Sequence, residues 1–320
     1  MTTPNSSTRK ALIEWHQAAD GLIAKRLKVN PRAVRDAFRK RYEHDAAAFV
    51  RDCFRFDKGE GIADYQRRAL DTLMERHRLA VRALHGTGKS TTAAWTTIWG
   101  LFTADDVKIP TTASVWRQLE KFLWPEIHKW MGRFRWELTG IPKPKDDGLN
   151  VTGMRLSPTA EAFAVASDRH EFIEGAHAKR IVYVFDEAKA IPPATWDAAE
   201  GAFSAGETSE AFALAISTPG EPAGRFYDIC SRKRGYEDWA TLHVSLDEAI
   251  TAGRTTRAWA DQRKAQWGEN SALYRNRVLG EFAGDEESGL VGLSWVEAAN
   301  ARWLEWQDVA AKQNGVQVLL

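Results

Sequence analysis

Cysteine is scarce in this chain: Cys53 and Cys230 are the only two in 320 residues. Two thiols cannot build a disulfide framework or a cysteine-rich zinc site, so a reducing compartment is expected. No run of eighteen apolar residues occurs, which excludes a helix that spans a membrane. The N-terminal stretch MTTPNSSTRKALIEW has no apolar segment of the secretory kind. A surplus of one charge is missing as well. Lys and Arg number 44, Asp and Glu 43, for a net charge of +1, so bulk electrostatics do not announce a nucleic-acid binder. Repeats and low-complexity tracts are absent. The chain does hold 44% hydrophobic residues and fourteen tryptophans, enough for the buried core of one large or two small globular units.

Between Arg9 and Arg41 basic residues outnumber acidic ones, and LIAKRLKVNPRAVRDAFRKRYE has helical apolar spacing interrupted at Asn30-Pro31. Two readings are open. Arg32, Arg35, Arg39 and Lys40 could form the basic face of a helix-turn-helix, or a solvated face on a small helical cap. From Leu79 strands and helices alternate: LAVRAL, then STTAAWTTIWGLF; VKIPTTAS, then WRQLEKFLWPEIHKWMGRF; the pair GMRLS and AEAFAVAS; and the nearly all-apolar RIVYVF and AFALAIS. Continuous apolar strands are buried on both faces, so the fold class is α/β with a mainly parallel sheet flanked by helices. After about Tyr236 helices return, AWADQRKAQWGENSALYRNRVLGEF being the clearest. The expected organisation is an N-terminal helical basic segment over 1–57, a core over 58–228, a helical subdomain over 229–285 and a linker over 286–320.

Two stretches carry chemistry. Ala83, Gly88, Lys89 and Ser90 fit the relaxed form of the phosphate-binding loop, in which Gly86, Thr87 and Gly88 turn backbone N–H groups around phosphate oxygens. Lys89 would reach the β- and γ-phosphates, Ser90 would ligate Mg²⁺, and Thr91 would follow at the helix start. Asp186 and Glu187 end the apolar strand IVYVF. Asp186 suits the hold on Mg²⁺, and Glu187 the orientation or deprotonation of the attacking water. A second acidic pair, Asp247-Glu248 in SLDEAI, reads as helix capping. Ser217, Thr218 and Pro219 end another strand, where small hydroxyls can sense a γ-phosphate or simply form a turn. Tyr65-Gln66 opens a helical run, and a glutamine amide can pair with adenine.

Taken in order, YQRRAL, ALHGTGKSTTAAW, TTASVWRQLEKFLWPEI, EGAHAKRIVYVFDEAKAIPPATWDAAEGA, ALAISTPGEPAGRFYD and NRVLGEF resemble the ATPase domain of tailed-phage large terminase subunits, the motors that package DNA into procapsids. The resemblance covers roughly residues 50 to 300. It implies an additional-strand P-loop ATPase core with a small helical lid. It also implies an adenine-sensing role for Gln66, Walker A roles for Lys89 and Ser90, Walker B for Asp186, the catalytic carboxylate for Glu187 and a coupling motif at Ser217-Thr218-Pro219. ATP and Mg²⁺ would be the ligands. Double-stranded DNA, a portal protein and a small terminase subunit would be the partners, with the chains in a homo-oligomeric ring on the procapsid in the host cytoplasm and no membrane involved.

Two departures stand out. Many large terminases place an arginine before the glycine upstream of the Walker B strand, where this chain has Glu174-Gly175, and some carry one in the P-loop where this chain has His85. Arg117, Arg169 and Arg180 are the candidate arginine fingers. The family's nuclease domain would begin near VQVLL, where the sequence stops, so ATPase activity without nuclease activity is expected. The rival readings are a helicase-like DNA-dependent ATPase, and a scaffold that binds nucleotide without turnover.

Overall fold

The computed structural model describes residues 30–141, 149–166, 177–204 and 210–284, with six positions between 299 and 307. The first basic helix (before residue 30), Arg169, Glu174-Gly175, the KPKDDG loop and VQVLL lie outside the described residues. Helices α1 (Pro31–Tyr42), α2 (Ala46–Cys53) and α3 (Asp64–Arg76) lead into β1 (Arg78–Ala83). The P-loop and α4 (Lys89–Thr103) follow, then β2 (Val107–Ala113). A helical stretch made of Trp116–Gln118, the π-helical turn Leu119–Leu123 and α5 (Trp124–Gly132) returns the chain to the short strand β3 (Leu149–Asn150), β4 (Gly153–Ser157) and β5 (Ala160–Ala166). Strand β6 (Arg180–Asp186), α6 (Pro193–Glu200), β7 (Glu210–Ser217), α7 (Arg225–Cys230), β8 (Ala240–Val244), α8 (Leu246–Thr251) and α9 (Arg257–Trp267) complete the regular elements, before Ala272–Tyr274 and a second π-helical turn, Arg275–Leu279.

One eight-stranded sheet runs in the order β3-β4-β5-β2-β6-β7-β1-β8. Six strands, β5 through β8 in that order, are parallel, and β3 and β4 are antiparallel additions at one edge. The phosphate-loop strand β1 is separated from the acid-bearing β6 by β7, the added strand that the P-loop resemblance implies. Every residue of β6 is buried, as the apolar run RIVYVF requires of a central strand. Parallel pairing brings the C-terminal ends of β1, β2, β6 and β7 to one rim, the place where open α/β sheets bind ligands.

Helix α4 is buried along its whole length from Thr92 to Thr103. Its threonines tolerate this because Thr96, Thr97 and Thr103 donate their hydroxyls to carbonyls four residues back, at 2.9, 2.9 and 2.7 Å. Trp95, Trp99, Trp124 and Trp196 are fully buried. Trp99 donates its indole N–H to the carbonyl of Tyr42 at 2.8 Å, so α1 packs into the main core. Phe38, Tyr42 and Phe49 share one apolar cluster with Phe102 and Phe134. The basic face of α1 is also partly engaged: Arg35 (2.7 Å) and Arg39 both pair with Asp105, whereas Arg32, Lys40 and Arg41 are exposed.

Two further features depart from the sequence reading. The sheet continues past residue 228, because β8 pairs with β1 and the helical part begins only at α8. The stretch read as one helix from Ala258 to Phe282 breaks at Gly268 (φ 84°), which ends α9. Ser245 caps α8 with a reciprocal bond to Glu248, as expected for Asp247-Glu248.

Candidate nucleotide site

The P-loop leaves β1 at Leu84 and folds inward through Gly86 (φ 79°) and Gly88 (φ 72°). Gly88 is required twice over: its φ is left-handed, and a Cβ there would lie 3.0 Å from Nε2 of Gln66. Thr87 is buried, donates its hydroxyl to the carbonyl of Leu84 (3.1 Å) and accepts at its own carbonyl from the Tyr65 hydroxyl (2.8 Å). Lys89 Nζ bends back to the same Leu84 carbonyl at 2.9 Å. Burial pushes the Lys89 ammonium down to about 8, against the attraction of Glu187 and Asp186. Among the described residues Ser90 has no side-chain partner, whereas Thr91 donates to Glu126 Oε1 at 2.7 Å.

Asp186 is buried at the end of β6, where it accepts from the Glu187 backbone N–H at 3.1 Å. Burial, and next the negative charge of Glu187, push its carboxyl up to about 7; the Glu187 amide and Lys89 pull the other way. Glu187 follows with φ 48°, a left-handed geometry that only about a few per cent of non-glycine residues adopt and that clusters at functional sites. Its Oε2 lies 3.2 Å from Ser217 Oγ, and that hydroxyl lies 2.9 Å from the Thr218 carbonyl. The P-loop, the acid pair and Ser217-Thr218-Pro219 therefore meet at one rim. Ser90 and Asp186 suit Mg²⁺: one offers an uncommitted hydroxyl, the other a buried carboxylate that needs a cation. Among the described residues no cluster of three or more His, Cys, Asp or Glu could hold a metal alone. A Mg²⁺ ion here would need phosphate oxygens and water to complete its shell.

The remaining site residues fall in three places. Gln66 is 1% exposed, with both amide ends engaged. Nε2 donates to the Gly88 carbonyl (3.3 Å) and Thr92 Oγ1 (3.2 Å), while Oε1 accepts from Ala63 N (3.2 Å) and Arg254 (3.5 Å). It braces the P-loop from below instead of presenting an open edge to a base. Arg117 is exposed after β2, at the same rim as the acids, beside the exposed Val115, Trp116 and Phe122. Arg180 begins β6 at the opposite end from Asp186, buried and bonded to Glu210 (2.7 Å) and Thr103 (2.9 Å), so it cannot reach phosphates held at the P-loop. The candidate finger Arg169 lies outside the described residues.

Two cavities flank the P-loop. One, of about 800 Å³, lies between the 59–68 stretch with Tyr65 and Arg68 and the 247–254 stretch with Arg254. The other, of about 520 Å³, is lined by His85, Glu187, Lys189, Thr218, Asn276 and Arg277 among others. Sequence reasoning overlooked Arg254 and Arg277. NRVLGEF was noticed only as a family motif, and its arginine was the available signal.

No family model matches the chain. A probable terminase large subunit of Enterobacteria phage P7 is 24% identical over 251 residues, which are 72% of this chain and 49% of that protein. The chain thus spans about half the length of the curated relative it matches. Among solved structures, the large terminase ATPase domain of Thermus phage P74-26 superposes with a TM-score of 0.52 at 20% identity, over 72% of this chain and 99% of that one. A large terminase from a thermophilic bacteriophage, in complex with ADP, superposes at 0.50 and 12% identity, over 70% of this chain and 54% of that one. The fold is that of large terminase ATPase domains, and in sequence the chain is similar to a probable phage terminase large subunit.

Proposed function

Starting from that kinship, we propose that this chain is the ATPase of a viral DNA-packaging motor, which hydrolyses ATP to move double-stranded DNA into a procapsid. The observation that carries the reading is the contact between Ser217 Oγ and Glu187 Oε2 at 3.2 Å. It joins the carboxylate best placed to act on water with the strand end that would report the loss of phosphate.

Lys89 and the inward N–H groups of the loop would hold the β- and γ-phosphates, and Ser90 and Asp186 would hold Mg²⁺. When bound, Mg²⁺ would neutralise charge on the phosphate oxygens. Glu187 would accept the proton of the attacking water as its oxygen bonds to the γ-phosphorus; the bond to the bridging oxygen breaks and ADP leaves. Once the γ-phosphate is gone, the Glu187–Ser217 contact would rearrange and pass that change into β7 and Pro219. The base would lie in the cavity between Tyr65 and Arg254. The working form would be a homo-oligomeric ring on a portal protein, recruited with a small terminase subunit in the host cytoplasm. The apolar and basic stretch Val115–Arg117 is a suitable contact for a neighbouring chain.

The test is steady-state ATP hydrolysis over a range of chain concentrations, with and without duplex DNA, for the wild type and Glu187→Gln. Hydrolysis that duplex DNA stimulates, and that falls about 100-fold or more in the variant while ATP still binds, is expected. A variant with wild-type turnover would remove Glu187 from its role, and a wild-type chain that binds no ATP would remove the reading itself.

A further inference from the structure

Of the candidate arginines, Arg117 is exposed at the acid-bearing rim without a contact to the P-loop, and Arg169 lies outside the described residues. Arg180 is at the wrong end of its strand, and His85 stands inside the P-loop where an arginine would serve. The geometry points to Arg277, in the second π-helical turn, as the arginine that contacts the γ-phosphate of the nucleotide held by its own chain. This inference rests on the ATPase reading above.

Three observations support it. First, Arg277 lines the cavity that also holds Glu187, His85 and Thr218. Second, its guanidinium is uncommitted: among the described residues it makes no hydrogen bond or ion pair, although its neighbours do. Arg275 pairs with Glu281 at 3.3 Å, and Asn276 is fastened to Ala283 through both ends of its amide at 3.1 and 3.0 Å. Third, the backbone that carries Arg277 is fixed to the P-loop. His85 donates its N–H to the Arg277 carbonyl at 3.1 Å. Gly280 closes the turn at φ 68°, so near the loop that a Cβ would lie 3.0 Å from Leu84 N and 3.3 Å from the Ala83 carbonyl carbon. His243 on β8 lies 2.9 Å from the Leu279 carbonyl on the other side. A π-helical turn, a feature frequent at functional sites, thus presents one unpaired guanidinium to the phosphate end of the site.

The electrostatics agree. Desolvation together with the positive charges of Lys89, Arg277 and Lys189 holds the His85 imidazole below its ordinary value, against the attraction of Glu187. Such a cluster of positive groups is completed by an anion with several oxygens. A guanidinium placed there before the reaction acts on charge as it develops, without reorganising. Arg277 is exposed but belongs to the same chain as the P-loop, so on this inference it does not require a neighbour.

The test uses the whole chain and the variants Arg277→Gln and Arg277→Lys. Mg²⁺-dependent affinities for ADP and for ATPγS are measured alongside turnover, and Arg277→Gln is mixed with Glu187→Gln. The expected result for Arg277→Gln is a loss of turnover of about 100-fold or more. Its ADP affinity should stay within about twofold of wild type, and any preference for ATPγS over ADP should disappear. The lysine variant should recover part of both, because it keeps the charge without the planar fork. Mixed variants should stay inactive, since neither chain has both groups. Wild-type turnover and nucleotide preference in Arg277→Gln would overturn the assignment. So would an equal loss of ADP and ATPγS binding in both variants, which marks a structural role, and so would recovered activity on mixing, which marks an arginine acting across chains. A wild-type chain without nucleotide binding would remove the ATPase reading and this inference with it.

Discussion

Strand β6 begins with a buried arginine and ends with a buried aspartate, and the protein treats the two charges in opposite ways. Arg180 is surrounded: Glu210 and Thr103 take its N–H groups at 2.7 and 2.9 Å, and the Trp99 ring lies 5.2 Å from its guanidinium carbon. Asp186 accepts one backbone bond and faces a second carboxylate on the next residue, so its carboxyl is pushed up to about 7. A buried charge with its partners in place belongs to folding. One without a cation is stable enough only because the rest of the sheet carries it, and it becomes satisfied when a ligand arrives. One end of the strand serves the fold, and the other, on the proposed reading, is held ready for metal and phosphate.

The largest effects should come from removing the charge at each end. Asp186→Asn should lower Mg²⁺-dependent turnover by orders of magnitude, about 100-fold at least, if Asp186 holds Mg²⁺ as proposed. The same variant should be more heat-stable than wild type without nucleotide, and the gain should grow with pH. The sign follows from the raised value: the folded state holds a proton that the unfolded chain, with an ordinary value of 3.8, releases. Wild-type stability therefore falls as pH rises from about 4 to about 7 and then levels off, while asparagine does not titrate. Melting curves of both proteins at about pH 5 and about pH 8 check this, and a gap independent of pH would contradict it. Arg180→Met should do the reverse. Glu210 would lose its buried partner but remain partly in water, so the cost is about 2 kcal/mol, below the range for a fully buried pair. The melting temperature should drop by roughly 4–8 °C. Nucleotide affinity of the folded fraction should be unchanged, and a loss of affinity equal to that of Asp186→Asn would erase the contrast between the two ends.

Proton exchange on binding probes the site end alone. With Lys89 near 8 and Asp186 near 7, binding of Mg²⁺ and ATP should take up protons above about pH 8 and release them below about pH 7. Calorimetry in buffers of different ionisation enthalpy reads the number directly. No exchange at either pH would mean that neither group changes its charge.

The two ends were not equally legible in the sequence. RIVYVF and AFALAIS announced central strands because burial on both faces removes polar alternation, and the phosphate loop announced itself through glycines whose backbone angles exclude other residues. Strand β8 (Ala240–Val244) was not read because it lies at the edge and is mostly half-buried, so its pattern resembles that of a loop. Arg180 looked like a finger because it is close to Asp186 in sequence. An extended strand instead carries six residues about 20 Å. Arg277 escaped for the converse reason: it reaches His85 only after the chain has added β8 at the edge and turned back through α8 and α9. Gln66 was legible as an amide that could pair with adenine, but its bonds to the P-loop and its saturated amide are properties of tertiary contacts.

The smallest expected effect is the sharpest comparison, because one kind of substitution should change sign between the two rims. Thr103 and Thr218 are 3% and 2% exposed, and valine matches the shape of either. The Thr103 hydroxyl accepts from Arg180 and donates to the Trp99 carbonyl at 2.9 and 2.7 Å. Removing it leaves a buried guanidinium N–H without a partner, and Thr103→Val should cost about 1–2 kcal/mol. The Thr218 hydroxyl is buried beside Ser217 with no partner among the described residues. Its loss relieves an unmet hydrogen bond, so Thr218→Val should leave stability unchanged or raise it by about 1 kcal/mol. Urea midpoints with an unchanged slope measure both. If Thr218→Val proves as costly as Thr103→Val, the hydroxyl has a partner in solution. The rim at the C-terminal end of the sheet would then be as fully satisfied as the other.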